Sequence, residues 1–260
     1  MSRATPCAFE RRAKARVTDP EFTLTAQADR IDRTPEGDLI LYDRNNHKSN
    51  NQGALQLGGG IPIYLETDRN PQGLIGPVHY HAWDENSIRE KIKAHPLVKD
   101  PDAWKKPRPI RLLIMQTVTY DGTIYNVRDV LDRVGHLCDY ILFDEAWGSY
   151  LRFHPLFHNN CAMGLDVTAD DPGIVSTQST HKQLSGFSQA SQICVKDHHI
   201  EGQARHCGHK RFNEFYMLHA STSPFYPLWA SLDVGNQMMK GRNGFHLWNE
   251  AIRTATEIRK

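Results

Sequence analysis

Residues 111–119 (RLLIMQTVT) and Tyr140-Ile141-Leu142-Phe143 are short, almost wholly apolar runs, and between them 127–137 repeats its apolar positions with helical spacing. A strand with no polar face is buried on both sides, and a helix between two such strands is the signature of a parallel βαβ unit. Further short apolar runs at 61–65, 174–177 and 193–196 predict strands, and 85–95, 227–239 and 246–259 predict helices. The chain is therefore expected to be α/β with a mostly parallel sheet. Ligands of such sheets bind beyond the carboxyl ends of the strands, which points to Asp144 and to the turn that follows 174–177.

The N-terminal stretch differs. Residues 3–16 are rich in Arg, Lys and Ala and predict a basic helix, whereas 22–32 alternates apolar and polar residues. With the turn Pro35-Glu36-Gly37-Asp38 and the apolar run 39–42, this predicts a β-hairpin across 22–42. Two units are expected, 1–43 and 44–260.

Composition excludes several function classes. A formal net charge of +1 over 260 residues does not suit a general nucleic-acid binder, whose affinity comes from clustered positive charge. No apolar run approaches the ~20 residues that span a bilayer, and the start of the chain lacks an apolar signal core. The five cysteines form no C-x-x-C pair, which reads as reduced thiols in a cytoplasmic protein. Gly58-Gly59-Gly60 lacks the Lys-Ser/Thr of a phosphate loop, and Gly148 lies in no G-x-S-x-G elbow. His79-Tyr80-His81 and His206-Cys207-Gly208-His209 lack the second ligand pair of a structural zinc site, so no metal is expected.

The chemistry gathers at Ser176-Thr177-Gln178-Ser179-Thr180-His181-Lys182. A lysine in a turn of hydroxyl and imidazole groups, with an aspartate closing an earlier strand, is what pyridoxal 5'-phosphate (PLP) requires. The amine forms a Schiff base with the cofactor aldehyde, the carboxylate keeps the pyridine nitrogen protonated, and Ser179 and His181 donate to the phosphate. Asp144 ends a buried run, where an unpaired charge is costly, so it is expected to have a cationic partner. The plainer readings are a helix N-cap for Ser179, a helix-capping role for Asp144 and a polar loop around His47.

These segments resemble one family. DRNNHKSNNQGAL (43–55), PIYLETDRNPQGLIGP (62–77), TYDGTIYNVRDVLDRVGHLCDYILFDEAW (119–147), DPGIVSTQSTHKQLSGFSQASQI (171–193) and HASTSPFYPLWASLDV (219–234) resemble the bacterial PLP-dependent ornithine/lysine/arginine decarboxylases. KDHHIEGQARHCGHKRFN (196–213) is most similar to the ornithine branch. The resemblance implies a partial aspartate-aminotransferase-like (PLP fold type I) large domain that takes ornithine to putrescine and CO2. It implies Lys182 as the Schiff-base lysine, Asp144 as the pyridinium partner and His47 stacked on the cofactor, with Trp147 near the site. Ser179 and His181 become phosphate contacts, and Ser223 reaches the cofactor phosphate of a neighbouring subunit in a homodimer or higher oligomer.

The chain also departs from that family. A Gly-Thr-Ser type phosphate loop is expected upstream of 43–49 and is not present. Residues 22–43 instead resemble the RecB-like nuclease domain of helicase–nuclease repair subunits, although Arg44-Asn45-Asn46 stands where that motif carries its lysine. These departures predict a truncated or fused reading frame that covers the middle of a family member and dissolves poorly. The rival expectations are a catalytically incompetent chain that pairs with a full-length decarboxylase and, further off, DNA cleavage through Asp29 and Asp32.

Overall fold

The computed structural model describes residues 37–43 and 46–260. Before them it describes the backbone of two short antiparallel pairs, Thr5–Pro6 with Asp32–Arg33 and Thr18–Asp19 with Phe22–Thr23. The basic helix expected over 3–16 and the strand over 22–32 otherwise lie outside the described residues.

Six strands form the central sheet: β1 (Leu39–Asp43), β2 (Ile61–Leu65), β3 (Ile110–Gln116), β4 (Cys138–Asp144), β5 (Gly173–Gln178) and β6 (Gln192–Lys196). Their order across the sheet is β6-β5-β4-β3-β1-β2. All neighbours are parallel except β5 and β6. The connection between those two holds one helical turn, Thr180–Gln183, instead of a crossover helix, so the chain doubles back.

The hairpin expected across 22–42 is corrected at its second strand. β1 runs parallel to β2 on one side and to β3 on the other, so both of its edges are occupied. All five of its residues are buried. Such a run belongs inside a sheet covered on both faces, not in a hairpin with one wet face. The boundary drawn after residue 43 thus falls at the end of an interior strand.

Two helices cover one face. α1 (Glu85–Lys93) starts where Asp84 accepts from the Ser87 N–H at 2.9 Å, and it buries Ile88 and Ile92. α2 (Val127–Val134) starts where Asn126 accepts from the N–H groups of Arg128 and Asp129, and it buries Val127, Val130, Leu131 and Val134. These side chains and the sheet make the main core. The helix expected over 127–137 closes as a 3-10 turn, Gly135–Leu137, which feeds β4. The other face carries a smaller cluster, in which Ile40, Tyr42 and Ile114 meet Ala54 and Leu55 of the helical segment 48–57.

Three helices end the chain: α3 (His209–His219), α4 (Tyr226–Met239) and α5 (Arg242–Arg259). α5 starts earlier than its sequence pattern suggested, and α3 and the segment 48–57 were not anticipated, because neither has a clear apolar stripe. α3 buries none of its residues and α4 buries only Ser231, Gly235 and Met239. Among the described residues no helix is long and apolar enough to cross a membrane, and no group of His, Cys, Asp and Glu is arranged to hold a metal ion.

Candidate active site

β3, β4 and β5 end together at Gln116, Asp144 and Gln178, with Asp144 opposite Gln116 on one side and Thr177 on the other. Beyond these ends lies a cavity of about 660 Å³. Its walls include Asp144, Trp147, Ser179, Lys182 and His47, so five of the expected site residues meet at one place.

Asp144 is 6% exposed. Its Oδ1 accepts from the Ala146 N–H at 3.1 Å and from the Thr177 hydroxyl at 3.4 Å, while its Oδ2 accepts from the Asn50 amide at 3.4 Å. Every one of these donors is neutral. No ion pair to Asp144 occurs among the described residues, so none of those residues supplies the cation expected beside it. A cavity-facing carboxylate held this way suits a ligand that brings its own positive N–H.

Lys182 sits on the turn Thr180–Gln183. The turn is fixed by the buried Thr180, whose hydroxyl donates to the Ala190 carbonyl at 2.9 Å, and by the Lys182 N–H, which donates to the Ser179 carbonyl at 3.0 Å. The amine stands 4.7 Å from the centre of the Trp147 ring. Ser179 occupies the N-cap position of this turn but makes no capping bond with its side chain. Its hydroxyl is therefore not committed to the cap.

His47 is exposed and caps the segment that starts at Lys48. Its Nδ1 lies 2.7 Å from the Ser49 hydroxyl and accepts from the Ser49 N–H at 3.3 Å. His181 is not on the cavity wall; its backbone N–H donates to the Ala190 carbonyl at 3.2 Å. Ser223 is exposed and lies apart, in a turn where its N–H donates to the Ser221 hydroxyl at 3.1 Å.

Several wall residues were missed from the sequence. Asn46, just before the N-cap His47, and Asn50 are four apart, with the Asn50 amide donating to Asn46 Oδ1 at 3.2 Å. Asn46 also donates to the Ile114 carbonyl at 3.1 Å, which ties the segment to β3. Their i, i+4 spacing was the available signal. Glu145, which lies behind the wall, was missed because it sits beside Asp144. It is the first residue after β4 and is fully buried. There it accepts from the Ala162 N–H at 2.6 Å, the Ser176 hydroxyl at 2.6 Å and the Gln178 amide at 2.9 Å. Burial pushes its carboxyl above the usual glutamate range, and these three bonds offset only part of that rise.

A family model for the Orn/Lys/Arg decarboxylase major domain matches residues 28–260. The chain belongs to that family. Family members are PLP-dependent decarboxylases. The constitutive ornithine decarboxylase of Escherichia coli (strain K12) is 53% identical over 224 residues, which are 86% of this chain and 31% of that protein. Lysine decarboxylase LdcA of Pseudomonas aeruginosa is 39% identical, over 86% of this chain and 28% of that protein. Among solved structures, lysine decarboxylase A from Pseudomonas aeruginosa superposes with a TM-score of 0.76 at 38% identity, covering 86% of this chain and 28% of that one. The chain thus spans less than a third of the length of these decarboxylases. The decarboxylase match starts at residue 28, inside the stretch 22–43 that resembled a nuclease, and most of that stretch before Gly37 lies outside the described residues.

Proposed function

We propose that this chain carries the lysine-bearing part of a PLP-dependent decarboxylase acting on a basic amino acid, with ornithine first. The observation that carries the reading is the meeting of the Lys182 amine and the Asp144 carboxylate on one cavity at the carboxyl ends of β3–β5. Greater identity to an ornithine decarboxylase than to a lysine decarboxylase supports the substrate order. The decarboxylase-like unit then includes β1, whose end supports the Asn46–Asn50 wall of the cavity.

PLP, when bound, supplies an electron sink for the pair left as the Cα–carboxylate bond breaks. The remaining roles belong to the chain. Lys182 is the amine that would hold the cofactor through its aldehyde. Asp144 keeps a proton on the ring nitrogen, which raises the ring's capacity to take electrons, and Thr177, Asn50 and the Ala146 N–H hold the carboxylate in place for that task. His47 would stack against the ring, Trp147 would screen the amine from water and Ser179 would donate to the phosphate, whereas His181, expected as a second phosphate contact, lies off the cavity wall. Ser223 serves the site of a neighbouring subunit.

Absorbance after addition of PLP, compared between the unmodified chain and Lys182→Ala, tests the cofactor assignment. A visible band that needs Lys182 is expected; a band equal in both proteins or absent from both refutes it. Release of CO2 from ornithine, lysine and arginine then ranks the substrates.

A second reading has its own support. α3, α4 and the N-cap of α4 expose Tyr216, Met217, Leu218, Phe225, Tyr226 and Trp229. Apolar surface on this scale suits pairing with another decarboxylase chain, in which this chain need not turn over substrate. Sedimentation of the chain alone and mixed with a full-length relative separates self-association from mixed pairing.

A further inference from the structure

Glu145 takes no direct part in the roles above, yet a hydrogen-bonded path leads from it to the cavity. Its Oε2 accepts from the Gln178 amide at 2.9 Å, and Gln178 Oε1 accepts from the Gln192 amide at 2.6 Å. The path is set by the sheet: Gln178 and Gln192 face each other across the antiparallel pair β5 and β6. Gln178 is buried, Gln192 is exposed, and both line the cavity that holds Lys182 and Asp144.

The direction of this path is dictated by chemistry. Above its raised titration range Glu145 is a carboxylate, which only accepts, so Gln178 must turn its NH2 toward it and its carbonyl oxygen away. Gln192 must then turn its own NH2 to that oxygen. All three groups bonded to Glu145 are donors, the complement expected for the ionised form. What remains at the open end is Gln192 Oε1, which accepts no hydrogen bond among the described residues. An isolated glutamine can turn either end to a ligand; here one N–H is spent on Gln178, which fixes the amide so that its carbonyl oxygen is free at the open end.

We propose that Glu145 is a positioning residue which, through Gln178, commits Gln192 to present a carbonyl oxygen to the cavity, where it receives a primary ammonium group of the ligand. The acceptor repels carboxylate and phosphate oxygens and so separates a cationic from an anionic end within one cavity. It deepens the reading of the site as one for a basic amino acid and rests on that reading for the natural ligand, though not for its test.

The test uses the cofactor-free chain at slightly alkaline pH, with binding of putrescine and of succinate followed by titration calorimetry. Putrescine carries ammonium groups and succinate carries carboxylates over a similar span. Gln192→Met is expected to weaken putrescine binding about tenfold, the loss typical of a hydrogen bond to a charged group, without weakening succinate. Glu145→Gln is expected to act in the same direction, because an amide there no longer dictates the direction of the path. Adding Gln192→Glu to Glu145→Gln is expected to restore putrescine binding, since a carboxylate accepts in any orientation; a purely structural role for Glu145 predicts no such rescue. The proposal is overturned if the unmodified chain does not bind putrescine, if Gln192→Met leaves that binding unchanged, or if both ligands weaken together. PLP added to the same samples reads the cofactor assignment separately: a missing Lys182-dependent band counts against that assignment and leaves the putrescine result standing.

Discussion

The amine of Lys182 lies 4.7 Å from the centre of the Trp147 ring, on the floor of the cavity where the parallel strands end. The indole face attracts a cation through its quadrupole, so before any ligand arrives the amine rests against an aromatic surface, with no ion pair to it among the described residues. The amine thereby stays directed into the cavity.

This contact has a measurable weight in the cofactor-free chain. Lys182→Ala is expected to lower its stability by about 0.5–1 kcal/mol, the usual size of an exposed cation–π contact, and Lys182→Arg to retain most of it. Urea denaturation of the three proteins without PLP checks this. A Lys182→Ala chain as stable as the parent contradicts it.

Asp144 predicts the opposite sign. Its carboxylate is buried among neutral donors, and a buried charge without a counter-charge costs stability. Asp144→Asn keeps an oxygen for the Ala146 N–H and removes the charge. The cofactor-free variant should be as stable as the parent or more stable, by about 1 kcal/mol at most, while its PLP band shifts or weakens. A clear loss of cofactor-free stability would show that Asp144 has a cationic partner after all.

Glu145 makes stability fall as pH rises above the ordinary glutamate range. Its folded value is raised, chiefly by burial, so the native chain keeps a proton that the unfolded chain has already released. Stability from this group is full below the unfolded value and declines as pH climbs toward the folded one. Glu85 acts oppositely: hydrogen bonds from His136 and then Arg89 hold its carboxyl below the usual range, so its contribution is lost as pH drops through that lowered value. Denaturation midpoints against pH should lose the upper slope in Glu145→Gln and keep the lower one. Parallel curves for the two proteins refute the assignment.

Gly173 lies opposite Tyr140 across β4 and β5, and a Cβ added there would come within 2.2 Å of the tyrosine ring. Tyr140 is itself held, donating to Asp197 at 3.0 Å and accepting from the Cys207 N–H at 2.8 Å. Gly173→Ala should therefore cost about 1–3 kcal/mol and displace the strand that leads to Lys182. Thermal melting gives the cost, and a loss of PLP affinity larger than that of other equally destabilised variants would show the displacement.

The sequence made the strands at 61–65, 111–119 and 140–143 legible because burial on both faces leaves an unbroken apolar run. It also singled out Lys182, Asp144 and Ser179, which the structure gathers on one cavity. β1 was read as a strand but given the wrong neighbour. Local pattern states that a segment is extended, whereas its pairing partners are fixed by distant residues such as Ile61 and Leu112. The helical segment 48–57 gave no signal because it buries none of its residues; it is held through Asn46 and Asn50, whose amides reach Ile114 and Asp144.

Residue order alone thus pointed to the parallel α/β architecture, to the family and to Lys182 and Asp144 as a pair, because periodicity and motif are local properties of the chain. It could not establish the surroundings of those two groups. Folding brought neutral donors to Asp144, an indole to Lys182 and a buried carboxylate to the far end of the Gln178–Gln192 path. Each of these depends on which strand ends lie side by side, and that is set by packing across the whole sheet.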